Sequence, residues 1–338
     1  MAILIAIFVF LILIVSHELG HFVFARATGI YVNEFAVGLG PRVFGIKGKE
    51  TEFVLRAIPF GGACMMLGED EEDANPRAFN QKKIWQRMLV IFGGPLMNFL
   101  TAIFIFIIVF MVMGMPSGSN VVGEVVAGQA AQTAGIRAGD AIVEVNDIPT
   151  ADWNQVVTAI SGQEAGAPLV LTVERDGQYV ELAVQPYLDE SSQRWLIGIS
   201  QQMQTVSLGQ SIKLGFQQSY YMTKALLGAL AGMISGQMAV DVAGPVGVIS
   251  IVGQAAETGW QNLLILTAFL CINLGVINLL PIPALDGSRL VFLAVEGVRR
   301  KPLPREKEGM IHFIGFALLI GLMVIITFQD VLRLAHGG

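Results

Sequence analysis

Charge is scarce in this chain: 14% of its 338 residues are Asp, Glu, Lys or Arg, where a soluble domain carries about 25%. With 54% hydrophobic residues and a mean hydropathy of +0.63, that scarcity excludes an ordinary soluble enzyme and a disordered chain. A basic surplus is missing as well. The net charge of −6 leaves no footprint for a phosphate backbone, so no nucleic-acid partner is expected. Only two cysteines are present, Cys64 and Cys271, too few and too far apart for a disulfide framework. Histidine is limited to His17, His21, His312 and His336, so any histidine-based metal site draws on a very short list. What remains is an integral membrane protein.

Four apolar stretches are long enough to cross a bilayer: Ala2 to about Phe24, Met88 to Met113, Leu263 to Pro281 and Ile311 to Phe328. The first has no Lys or Arg before Arg26, so it lacks the basic start of a secretion signal and reads as a retained span. Ala225 to Val252 is apolar too, but it is rich in glycine and holds Asp241 and Pro245. It reads as an amphipathic, surface-lying element within a linker over 205–258. Basic residues set the orientation. Nine Lys or Arg lie between Arg26 and Arg87 and six between Arg289 and Lys307, against five in the whole of Pro116 to Trp260. By the positive-inside rule the first and third connections are cytoplasmic, and the middle segment and both termini lie outside.

The organisation expected is therefore a first span over 1–25, a cytoplasmic loop over 26–87 and a second span over 88–114. A folded module over 117–202 follows, then the linker, a third span over 261–285, a cytoplasmic loop over 286–310 and a fourth span over 311–328. In the middle module, short β-rich runs at Asn120 to Val126, Ala141 to Val145, Leu169 to Arg175 and Tyr179 to Gln185 surround turn signals such as Asp176-Gly177. The first cytoplasmic loop is strand-like at Glu34 to Gly38 and Thr51 to Ile58, with Ile58-Pro-Phe-Gly-Gly62 read as a turn. The acidic run Gly68 to Asp73 reads as a solvated face.

His17-Glu18-Leu19-Gly20-His21 carries the chemistry. Residues i and i+4 share a helix face, so both imidazoles can address one ion, and the intervening Glu can serve as general base. With four His and 17 Glu in 338 residues, composition alone gives about 0.002 such patterns. They follow fifteen mostly apolar residues, where a charged group costs at least ~2.5 kcal/mol, so polar groups kept there read as functional. A catalytic zinc needs a third protein ligand. His312 and His336 are weaker candidates than Asp286, in Asn278-Leu-Leu-Pro-Ile-Pro-Ala-Leu-Asp286-Gly287 at the end of the third span. Its prolines break the helix, which is tolerated at membrane depth where the backbone lines a cavity. Asp286 offers a carboxylate oxygen and Asn278 a neutral amide. Both Asp286 and the His pair fall on the cytoplasmic side only if four crossings are made.

His-Glu-Leu-Gly-His in one span and Asn-x-x-Pro-x-Pro-x-Leu-Asp-Gly in a later one resemble the site-2 protease family of intramembrane zinc metalloproteases. Gly94-Pro95-Leu-Met-Asn98, Val242 to Gly247 and Ile58 to Gly62 are similar to further family elements. The resemblance implies four transmembrane helices, a membrane-associated β-hairpin that aligns substrate as an added strand, and one extracytoplasmic PDZ-like α+β domain. It implies Zn2+ on His17, His21 and Asp286, catalysis by Glu18 and substrate positioning by Asn278. The substrates implied are single-span membrane proteins such as anti-sigma factors or remnant signal peptides, cut in a bacterial inner membrane with the active site toward the cytoplasm. Ser288 stands where the family more often has a second glycine, and there is one PDZ-like module where some relatives have two. Gly94, Pro95 and Asn98 fit either a helix-packing role or direct contact with substrate. Two rival classes are a membrane-anchored PDZ scaffold with a structural zinc and a zinc transporter. The first leaves Glu18 unexplained, and the second wants ionisable groups of which the second and fourth spans have almost none.

Overall fold

The computed structural model describes residues 1–338 except 70, 163–165, 190–193, 238–243, 302–303 and 336–338. Asp241, Val242, Ala243, His336 and Asp70 of the acidic run thus lie outside the described residues. The chain forms two compact units, Met1–Val109 with Ile212–Gly338, and Phe110–Ser211.

In the first unit, α1 (Ala2–Ala27) is 26 residues, about 39 Å at 1.5 Å per residue. It exceeds the ~30 Å hydrocarbon thickness. Among the described residues three further helices are long and apolar enough to cross: α2 (Ile84–Met113), α7 (Trp260–Leu279) and α9 (Arg305–Ala335). Between α1 and α2, β1 (Val32–Lys47) and β2 (Glu52–Met66) pair mainly antiparallel. Each is long and bends, so the two strands make four lanes. Glu34–Val37 pairs with Glu52–Leu55 on one side and with Gly62–Met65 on the other, and Arg42–Lys47 pairs with Glu52–Arg56. Ile58 to Gly62, expected as a turn, instead lies within β2, held by the pairs Leu39↔Ile58 and Val37↔Gly62. Bends at Gly38 and Gly61 (φ +92° and +84°) supply the change of direction. Phe22 of α1 stacks edge-on against Phe35 and Phe53 at 5.6 and 5.9 Å, seating the sheet on the helix.

The stretch read as one surface-lying element takes in parts of two helices, α5 (Leu208–Ile234) and α6 (Pro245–Thr258), with 238–243 between them outside the described residues. At 14 residues, about 21 Å, α6 is too short to cross. It packs on α1, α7 and α9 with Val252 and Gly253 buried. Its N-terminal amides are capped from α9: Asp330 accepts from Gly247 N at 2.8 Å and Gly244 N at 3.3 Å. Polarity alone does not reveal this, because the partner is 83 residues away. A further helix, α8 (Asp286–Arg299), fills the loop expected after the third span.

The second unit is a small α+β fold. β3 (Met115–Pro116) pairs with β12 (Met203–Gln204), β4 (Val122–Val125) with β11 (Ile199–Gln201), and β9 (Tyr187–Asp189) with β10 (Arg194–Leu196). β5 (Ala141–Val145), β6 (Ile148–Pro149), β7 (Leu169–Arg175) and β8 (Gln178–Val184) form a sheet of order β6-β5-β7-β8. α3 (Ala130–Thr133) and α4 (Trp153–Ser161) complete it. Leu169, Leu171 and Val173 alternate inward along β7 onto Val122, Ile142, Val145 and Val156. Asp176 and Gly177, both at positive φ, make the tight hairpin turn.

Buried Asp140 accepts from Arg137 N at 2.8 Å and from Arg175 Nε and Nη2 at 2.8 and 2.7 Å. Burial alone would raise its carboxyl, but the Arg175 and Arg137 contacts outweigh that and hold it below the usual carboxylate range. The folded value is thus depressed, so its contribution is present above the unfolded Asp value near 3.9 and disappears as pH falls through the folded value. Arg175→Ala, which strands the carboxylate, is expected to cost this unit about 3 kcal/mol at neutral pH. Hydrogen exchange of the Arg137 to Val145 amides in the full chain measures it; unchanged exchange would refute the role.

Candidate metal centre

α1 places His17 and His21 one turn apart, and their rings meet edge-on with centroids 4.8 Å apart. Close approach of α2 makes room for nothing else on that side. A Cβ on Gly20 would collide with the Gly93 carbonyl, and a Cβ on Gly94 would collide with His21 Nε2 and His17 Cε1. The small residues at 93–94 therefore serve helix packing, and that packing shapes the imidazole site itself. Pro95 has no N–H, so the Ile91 carbonyl has no partner one turn on.

The other side is built by the segment between α7 and α8. Leu280 leaves the helix, Pro281 and Pro283 prevent its continuation, and Ala284 takes φ +74°. Ala284 N donates to His312 Nδ1 at 3.1 Å, so His312, the weaker ligand candidate, braces this loop from α9. Buried Ser288 donates from Oγ to Leu285 O at 2.8 Å, which makes the serine at this position a local brace as well. Two ion pairs fix α8: Arg87 of α2 with Glu296, and Arg289 with Glu69 just after β2. Asp286, first residue of α8, is thereby delivered to the two imidazoles.

Three donor atoms converge. His17 Nε2 and His21 Nε2 lie 3.2 Å apart, and Asp286 Oδ2 lies 3.2 Å from the first and 3.3 Å from the second. For tetrahedral zinc with bonds of ~2.0–2.1 Å, neighbouring ligand atoms are about 3.3–3.4 Å apart. The three atoms match three corners of such a site, with the fourth corner left for water or substrate. His21 Nδ1 faces the Val90 carbonyl at 3.0 Å, which turns its Nε2 lone pair toward the other two donors. Among the described residues this is the one cluster of three His, Cys, Asp or Glu side chains able to hold a metal.

A cavity of about 620 Å³ opens on the cluster, lined by His17, Glu18, His21, Ile91 and Asp286, by Gly62 to Met66 of β2, and by Glu69 and Arg289. Glu18 is half-buried against β2, where a Cβ on Gly62 would sit 2.6 Å from its Cγ. Asn278 lies half-buried in the last turn of α7 and is not among the described residues lining the cavity. Ser16, Val90 and Arg289 touch the site or its ligands without having been singled out for that, and Asn98, read for helix packing or substrate contact, meets His17 Nδ1. An Asn and a Ser inside apolar spans were the available signal for two of them. Burial pushes the Cys64 thiol above its ordinary range, and the cavity wall is its place.

Residues 5–322 match the family model described as peptidase family M50. The chain is 35% identical to the zinc metalloprotease RasP of Geobacillus kaustophilus, covering 96% of each chain. It is 31% identical to the regulator of sigma-W protease RasP of Bacillus subtilis, covering 97% of each. The PDZ domain of the SdrC-like protein of Listeria innocua aligns at 18% identity with a TM-score of 0.23, over 25% of this chain and 96% of that one. With a family model spanning nearly its whole length, the chain belongs to peptidase family M50.

Proposed function

We propose that this chain is an intramembrane zinc metalloendopeptidase in which His17, His21 and Asp286 hold the metal and Glu18 is the general base. The convergence of the three donor atoms at 3.2–3.3 Å carries this reading. When bound, zinc supplies Lewis-acid polarisation of the scissile carbonyl and lowers the pKa of its water toward ~7. Glu18 accepts the proton of the attacking water and passes it to the leaving amine. Asn278 would act on the substrate from the end of α7.

A helix hides its carbonyls, so a membrane-spanning substrate must unwind before its peptide bond can be attacked. The Gly62–Met66 lane favours capture of the unwound segment. It lines the cavity beside Glu18, and its outer side carries no other strand among the described residues. An extended substrate segment adds there by main-chain pairing. Single-span membrane proteins fit this chemistry, and the name of the Bacillus subtilis relative favours a membrane-anchored anti-sigma factor; a remnant signal peptide offers the same backbone. The bacterial relatives favour an inner membrane, and the basic loops favour a catalytic end at its cytoplasmic face and a PDZ-like Phe110–Ser211 unit outside. There it would bind or exclude substrate ectodomains.

Co-expression with a tagged single-span substrate tests the reading. The parent chain is expected to yield a shorter product that a zinc chelator abolishes. Ala63→Pro, which removes a main-chain donor from the lane, is expected to cut cleavage at least ~10-fold with zinc content unchanged. Undiminished cleavage by that variant would sink strand addition, and cleavage indifferent to chelation would sink the metalloprotease reading.

A further inference from the structure

The two imidazoles are held differently on their outer nitrogens. His21 Nδ1 faces a carbonyl, which only accepts, so its proton sits on Nδ1 and Nε2 is free to bind. His17 Nδ1 faces the side-chain amide of Asn98 at 3.4 Å. Asn98 is fully buried and its other amide atom lies 2.9 Å from Ser16 Oγ, which also lies 2.9 Å from the Leu13 carbonyl. A hydroxyl has one proton, so Ser16 cannot donate to both.

Two proton arrangements fit these positions. In one, Ser16 donates to Asn98 Oδ1 and the amide nitrogen donates to His17 Nδ1. The imidazole proton then sits on Nε2, on the atom facing His21 and Asp286, and blocks it. In the other the amide is turned about its last bond. His17 Nδ1–H donates to Asn98 Oδ1, the amide nitrogen donates to Ser16 Oγ, and Ser16 gives its proton to Leu13 O. Here each of the three contacts has one donor and one acceptor, and Nε2 carries a free lone pair. We propose that Asn98, backed by Ser16, is a positioning residue that selects the Nδ1–H tautomer of His17 and so completes the metal site from outside it. This rests on His17 being a zinc ligand. It gives the Asn of the Gly94-Pro95-Leu-Met-Asn98 element a task distinct from helix packing and from substrate contact.

The test is zinc affinity of the full chain in detergent micelles, by competition with a chromophoric chelator, for Asn98→Leu, Asn98→Asp and His17→Ala. Asn98→Leu removes donor and acceptor at similar size and is expected to weaken zinc about 10–100-fold. Asn98→Asp keeps an acceptor for Nδ1–H and is expected to stay within about threefold of the parent. That rescue is something a purely packing role would not produce. If His17→Ala loses zinc while Asn98→Leu binds as the parent does, or if Asn98→Asp falls as far as Asn98→Leu, the positioning role is wrong and the ligand assignment stands. If His17→Ala binds zinc normally, the ligand assignment itself fails and takes this inference with it. Should Asn98→Leu not fold, Asn98→Asp decides alone, since loss of affinity there overturns the proposal.

Discussion

A Glu18→Gln chain is expected to carry as much zinc as its parent and to cleave about 10²–10⁴-fold more slowly. Glutamine has the shape of glutamate, so the contact with β2 at Gly62 is kept. What it loses is the capacity to take a proton from water at neutral pH. Glu18 is absent from the three-atom cluster of His17, His21 and Asp286, so metal content has no reason to change. The two readouts together decide the role: zinc by atomic absorption on purified chain, cleavage on a tagged single-span substrate. Loss of both would make Glu18 a structural or ligand residue, and loss of neither would return the membrane-anchored scaffold with a structural zinc to the front.

Asp286→Ala should produce the opposite pattern, with metal and cleavage lost together. Two imidazoles remain, and sharing the ~10–16 kcal/mol of a four-ligand zinc site evenly makes one ligand worth about 3–4 kcal/mol, or about 10²–10³-fold in affinity. The fold is expected to survive. α8 keeps its ion pairs through Arg87–Glu296 and Arg289–Glu69, and the preceding loop keeps the His312 brace. Metal competition on the purified variant measures the loss; parent-like zinc affinity would mean that the third ligand lies elsewhere.

How much of this is legible in sequence depends on how far apart the partners are. His17 and His21 are one helical turn apart, so their proximity follows from helix geometry alone. Asp286 is 269 residues from His17, yet it can be paired with the dyad because charge bias and span count put both on one side of the bilayer. Ser16, Asn98 and Val90 cannot be assigned to His17 and His21 in that way. Their roles depend on the rotation of α2 about its own axis, and an apolar span with nearly uniform hydrophobicity encodes that rotation only through Gly93 and Gly94. Nor does residue type alone separate a turn from a bent strand at Ile58 to Gly62. Proline and glycine suit both, and the strand exists because the Val37 region offers a second pairing side. The capping of α6 by Asp330 and the bracing of Ala284 by His312 are likewise single long-range contacts with no local signature.

On this mechanism the site at His17, Glu18, His21 and Asp286 hydrolyses a peptide bond inside a membrane-spanning segment. Mass spectrometry of the new termini is its most direct test, using purified zinc-loaded chain and a purified single-span substrate, with Glu18→Gln run in parallel. New termini within the apolar segment of the substrate, formed by the parent and absent with Glu18→Gln, are the predicted result. Termini confined to the soluble flanks, or identical products from both chains, would contradict it.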